Sequence, residues 1–158
     1  NMEIAHAILE EEHLNITEAK NGKEALEIFQ NSRLNEYDVI IMDVMMPVMD
    51  GMEATKAIRM LGREDAKKIP IIAMTANAFE EDRKACLDAG MDEHIGKPID
   101  IPLLKRTITK LLTKKGVVNA KTYSLIDIKK SMCLFLVKSV ISVNTDYRSF
   151  FRKVIQRI

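Results

Sequence analysis

Residues 37–42 read YDVIIM, and Asp43 follows at once. A nearly continuous apolar run of this length marks a parallel strand covered on both faces, because a half-solvated strand would alternate. A second run, PIIAM at 70–74, repeats the pattern. Around them the apolar period changes to that of a helix. Helices are expected over Met2–His13, Glu24–Arg33, Glu53–Leu61, Glu80–Ala89 and Pro102–Leu112, the fourth closed by Gly90. Shorter strands are expected over Leu14–Ala19 and Glu93–Ile95, while Asn21-Gly22, Pro47 and Asp50-Gly51 punctuate turns. Strands alternating with helices over short links imply an α/β fold with a doubly wound parallel sheet.

The chain has 158 residues, of which 47% are hydrophobic, enough for one sizeable core and too many for a disordered chain. No apolar run reaches the roughly 18 residues of a membrane span. Trp is absent and aromatics are only 5%, so a base-stacking nucleic-acid surface is not expected. Cys86 and Cys133 lie far apart without metal-ligand spacing, which suits a reducing cytoplasm. Charge divides the chain: residues 1–115 carry a net −5 and residues 116–158 a net +6. A boundary is therefore expected near Lys114-Lys115-Gly116, with a domain at 1–115 and a basic extension of unknown fold at 116–158.

In a doubly wound sheet, chemistry collects at the carboxyl ends of the strands. Read in order, those ends give Asp43, Thr75 and Lys97. Singly, each is an ordinary loop residue: a turn former, a loop hydroxyl, a solvated amine. Together they suit one reaction. A carboxylate attacks phosphorus, an ammonium and a hydroxyl hold the phosphoryl oxygens, and Mg²⁺ neutralises the remaining charge. A phosphatase of the two-aspartate type would need an acid two residues after the nucleophile, where Met45 stands. No Gly-rich nucleotide loop occurs, and no base or second nucleophile for a stand-alone enzyme reaches the rim.

The runs NGKEALEIF (21–29), MDVMMPVMDGMEATKAIR (42–59), IPIIAMTANAF (69–79) and AGMDEHIGKPID (89–100) resemble the receiver domain of response regulators, in the form attached to hybrid sensor histidine kinases. The resemblance covers roughly residues 1–114. It implies a flavodoxin-like receiver fold of strand order 2-1-3-4-5 and a role in phosphorelay signal transduction. Asp43 would accept the phosphoryl group, Thr75 would follow it, and Lys97, followed by Pro98 through a cis bond, would bind it. The donor would be a histidine kinase or a histidine phosphotransfer protein. The cofactor would be Mg²⁺, held by Asp43 and the carbonyl of Met45. His94 takes the switch position, where many receivers carry Tyr or Phe; the plainer reading is a surface residue on an edge strand. Met45 and Asn77 would flank the path of water to the acyl phosphate. The five methionines at 42, 45, 46, 49 and 52 read as adaptable packing.

One departure is large. The family's first strand ends in two adjacent acids that bind Mg²⁺, and here the chain opens within the first helix. A fragment lacking strand 1 is expected, with weak or absent Mg²⁺ binding. Without the acids, a phosphorylation-independent interaction module is the alternative function. The extension contains no His, so it is not a phosphotransfer module. Residues 146–158 have the spacing of a basic amphipathic helix, and packing on the domain's own surface is preferred over membrane contact. For the vacant central slot, an opening, a helical tail or a swapped dimer ranks ahead of insertion by Tyr123–Ile128 or Cys133–Val137.

Overall fold

The computed structural model describes residues 15–76, 79–114 and 133–137. The helices read at 2–13 and 146–158, the strand read at 123–128, and Asn77 lie outside the described residues. Among the described residues ten elements follow in chain order: β1 (Asn15–Ala19), α1 (Gly22–Asn31), β2 (Val39–Asp43), α2 (Gly51–Met60), α3 (Glu64–Lys68), β3 (Ile71–Thr75), α4 (Glu80–Asp88), β4 (Glu93–Gly96), α5 (Ile101–Lys114) and β5 (Cys133–Val137). None of the described helices is long and apolar enough to cross a membrane.

The sheet is parallel throughout, in the order β1-β5-β2-β3-β4. Its apolar strands sort their side chains by parity. Ile40, Met42, Ile71 and Ala73 face one cluster with Ala25, Phe29, Ala54 and Ile58 of α1 and α2. Val39, Ile41, Ile72 and Met74 face the other, against Leu104, Ile108, Leu111 and Leu112 of α5. All five residues of β2 are buried, as the YDVIIM run requires of a strand covered on both sides. The α5 residues recur at i, i+4, i+7 and i+8, the single apolar stripe of a helix that packs on one face of a sheet.

The expectation of an empty central slot is corrected. Cys133–Val137 occupies it, paired with β1 on one side and β2 on the other. The physical reason is edge pairing. An open slot would leave β1 and β2 with unpaired inner edges, and a continuous apolar run such as CLFLV is the composition a doubly covered strand needs. The chain can deliver it because α5 returns to the side of the sheet where parallel strands begin. The boundary near Gly116 therefore divides charge, while five residues beyond it complete the sheet.

The end of the sheet opposite to Asp43 is tied by two arginines. Arg63 donates through Nη1 to the carbonyl oxygens of Phe29 (2.6 Å) and Ser32 (2.9 Å), and through Nη2 to Arg33 O (2.9 Å). It also pairs with the buried carboxylate of Asp65 at 2.8 Å. The carbonyls that end α1 are thus capped by a guanidinium. Arg59 binds Gly90 O, Ala66 O, Ile69 O and Asp92. The short helix α3, which supplies Asp65, was not expected from the sequence.

Candidate functional site at the carboxyl rim

Each candidate side chain sits where a buried strand stops. Asp43 is the last residue of β2 and is only 2% exposed. Thr75 ends the neighbouring β3 and is buried. Lys97 follows β4 directly, and its backbone N–H donates to Thr75 O at 2.7 Å. The Lys97 Nζ then donates to Asp43 Oδ2 at 2.7 Å, forming an ion pair across two strands. The other carboxylate oxygen, Oδ1, accepts from the backbone N–H of Met45 at 3.1 Å. Asp43, Thr75 and Lys97, far apart in the chain, are brought to one rim. The Lys97–Pro98 bond is cis.

The loop that carries Met45 is held by close backbone approach. A Cβ at Gly51 would run into the carbonyl oxygen of Asp43, and one at Gly22 would lie 2.6 Å from Met49 O. These contacts let α1 and α2 start directly against the loop that follows Asp43. Asp50 caps α2 with a reciprocal capping box to Glu53. Within the loop, Met49 N–H donates back to Pro47 O at 2.9 Å, with Val48 between them at φ 73°. This is a γ-turn with positive central φ, a strained form for a β-branched residue. Neither this turn nor the Met45 N–H contact was read from the sequence, because Val carries no turn signal and a backbone donor has no residue signature.

The remaining expected residues divide. Met45 lies at the rim with its side chain exposed. His94 stands on β4, the edge strand, half-buried and beside Ala73 in register. Pro98 is exposed. Asn77 lies outside the described residues.

The receiver resemblance implies Mg²⁺ at this rim. Hard divalent cations take oxygen ligands, chiefly carboxylates. The rim offers Asp43, whose two oxygens already accept from Lys97 and Met45. The central strand brings Cys, Leu, Phe, Leu and Val, none of them a carboxylate. Among the described residues no three His, Cys, Asp or Glu side chains gather where they could hold a metal ion. The described donor set does not fit Mg²⁺.

Comparison with known proteins gives a consistent picture. The family described as "Response regulator receiver domain" matches residues 1–122. The hybrid signal transduction histidine kinase I of Dictyostelium discoideum is 38% identical over 116 residues, covering 72% of this chain. Histidine kinase 1 of Arabidopsis thaliana is 43% identical over 101 residues, covering 64% of this chain. The chain spans 7% and 8% of the length of these two relatives. Among solved structures, the receiver domain of a sensor histidine kinase from Pseudomonas aeruginosa PAO1 is similar, with a TM-score of 0.62 and 36% identity. The match covers 71% of this chain and 88% of that one, whose structure has a magnesium ion coordinated in its active site cleft. The chemotaxis protein CheY4 of Vibrio cholerae aligns with a TM-score of 0.62 and 32% identity, over 70% of this chain and 88% of that one.

Proposed function

From the premise that this chain belongs to the response regulator receiver domain family, we propose that it accepts a phosphoryl group from a phosphohistidine donor onto Asp43. A carboxylate oxygen of Asp43 attacks phosphorus, the P–N bond to the donor imidazole breaks, and the imidazole leaves with the bonding pair and takes up a proton. An acyl phosphate on Asp43 results. The Lys97 ammonium turns from the carboxylate to a phosphoryl oxygen, and the Thr75 hydroxyl donates to another. His94 on the edge strand reports the change to a partner. The observation that carries this reading is the 2.7 Å pairing of Lys97 Nζ with Asp43 Oδ2, beside Thr75 at the next strand end.

The donor is a histidine kinase or a histidine phosphotransfer protein, in a cytoplasmic setting. Mg²⁺ binds this chain weakly or not at all, so transfer is slow. The test is incubation of the full chain with a phosphorylated histidine phosphotransfer protein, followed by intact mass. One added phosphoryl group on wild type and none on Asp43→Asn is expected. Equal gain on both would overturn the assignment.

A further inference from the structure

The methionines of this chain differ in how far an oxidant can reach them. Met42, Met74 and Met91 are buried, and Met46, Met49 and Met52 pack against the core. Met45 is 68% exposed and Met60 is 85% exposed. Thioether oxidation follows exposure, so these two are the reactive ones among the described methionines. Their places in the fold differ. Met45 lies in the loop between β2 and α2, and its backbone N–H donates to Asp43 Oδ1 at 3.1 Å. Met60 is the last residue of α2, which starts at the rim and carries it roughly 14 Å away. The backbone before Met45 is pinned: Val44 N–H donates to Met74 O at 2.9 Å, and Gly51 N–H donates to Val44 O at 3.0 Å. A fixed backbone beside the carboxylate therefore presents a flexible, solvent-facing thioether.

We propose that Met45 is a peroxide-sensitive modification site, and that its oxidation shortens the life of an acyl phosphate on Asp43. A sulfur lone pair attacks one oxygen of a hydroperoxide and the O–O bond breaks. The sulfur is oxidised by two electrons to the sulfoxide, and the peroxide is reduced to water or an alcohol. A thioether is at best a weak acceptor, whereas a sulfoxide is polar and accepts hydrogen bonds well. Beside the phosphoryl group, the sulfoxide oxygen accepts a hydrogen bond from water and orients that water toward phosphorus. Attack breaks the P–O bond to Asp43, the carboxylate leaves with the bonding pair, and inorganic phosphate and a proton are released. Cys86 does not compete for the oxidant, because it is 2% exposed and burial, with Asp82 behind it, pushes its thiol up and keeps it protonated. The effect on Asp43 rests on the proposed function, whereas the reactivity of Met45 stands without it.

The test has two readouts on the full chain. In the first, no phosphoryl donor is present. The protein is titrated with hydrogen peroxide, treated with dithiothreitol to reverse thiol oxidation, and mapped by peptide mass. Sulfoxide should form at Met45 and Met60 at least about tenfold faster than at Met42, Met74 or Met91, and a methionine sulfoxide reductase should reverse it. In the second, chain phosphorylated by a histidine phosphotransfer protein is freed of the donor, and loss of the phosphoryl group is timed by intact mass. Prior peroxide treatment should shorten the lifetime by about threefold or more in wild type and in Met60→Leu. It should leave the lifetime of Met45→Leu unmoved, and the reductase should restore that of wild type. Oxidation of Met45 no faster than that of the buried methionines would overturn the site. Equal lifetimes for oxidised and untreated wild type, or the same shortening in Met45→Leu, would overturn its effect on Asp43. A wild type that accepts no phosphoryl group would fail the proposed function and that effect together, while the first readout still decides the site.

Discussion

Removing the Lys97 ammonium should destabilise the fold by about 3 kcal/mol, at the low end for a broken buried pair. At 2.7 Å and an effective dielectric of about 20, the gross attraction is roughly 6 kcal/mol. Desolvation of both ions takes back much of that. Lys97 keeps 23% of its side chain exposed while Asp43 keeps 2%, so truncating Lys97 takes a charge partner from the more deeply buried of the two groups. Lys97→Ala should therefore lower the urea midpoint with an unchanged m-value. Asp43→Asn introduced on top should restore part of the loss, because a neutral amide needs no counter-charge. A coupling of about 1–2 kcal/mol between the two positions is expected. Lys97→Ala within about 0.5 kcal/mol of wild type would refute the reasoning, as would a double variant no more stable than the single one.

Arg63→Ala should cost about 3 kcal/mol, since it strips the carbonyls that end α1 and leaves Asp65 buried without its guanidinium. The Arg63 hydrogen bond holds the Asp65 carboxyl below its ordinary value of 3.8; that stability is present above this value and is lost as pH falls through the lower folded value, so the Arg63→Ala penalty should shrink in acid melts. Val48→Gly should stabilise by up to about 1 kcal/mol in thermal melts, because a residue without Cβ adopts the positive φ that a β-branched residue resists. Leu136→Pro should cost at least about 2 kcal/mol by breaking the ladder of a central strand. Among the described strands β1 pairs with β5 alone, so hydrogen exchange should show β1 amides losing protection together with those of β5.

The parts of this molecule legible in its sequence are those whose signals are local. YDVIIM and PIIAM announce doubly covered strands, and Asp43, Thr75 and Lys97 follow as the residues at strand ends. The strand in the central slot was not legible as the preferred outcome. CLFLV has the right composition, but parallel pairing is non-local, and no property of residues 133–137 names β1 and β2 as neighbours more than ninety residues upstream. The Lys138 that follows reads locally as an end to burial, which argues against a strand buried on both faces. The arginine clamps were missed for a related reason: their acceptors are backbone carbonyls, which carry no side-chain signature. The γ-turn at Val48 was missed because the residue there contradicts the geometry it adopts.

Trapping the acyl phosphate at its residue tests the reading most directly. Wild type and the Asp43→Asn chain are each incubated with a phosphorylated histidine phosphotransfer protein and Mg²⁺, then reduced with borohydride, which converts an aspartyl phosphate to homoserine. Peptide mass mapping then locates the reduced residue. Reduction at residue 43 in wild type, and at no residue when Asp43 is Asn, is the expected result. Reduction at another carboxylate, or at none in wild type while the donor still phosphorylates a reference receiver, would contradict the assignment of Asp43.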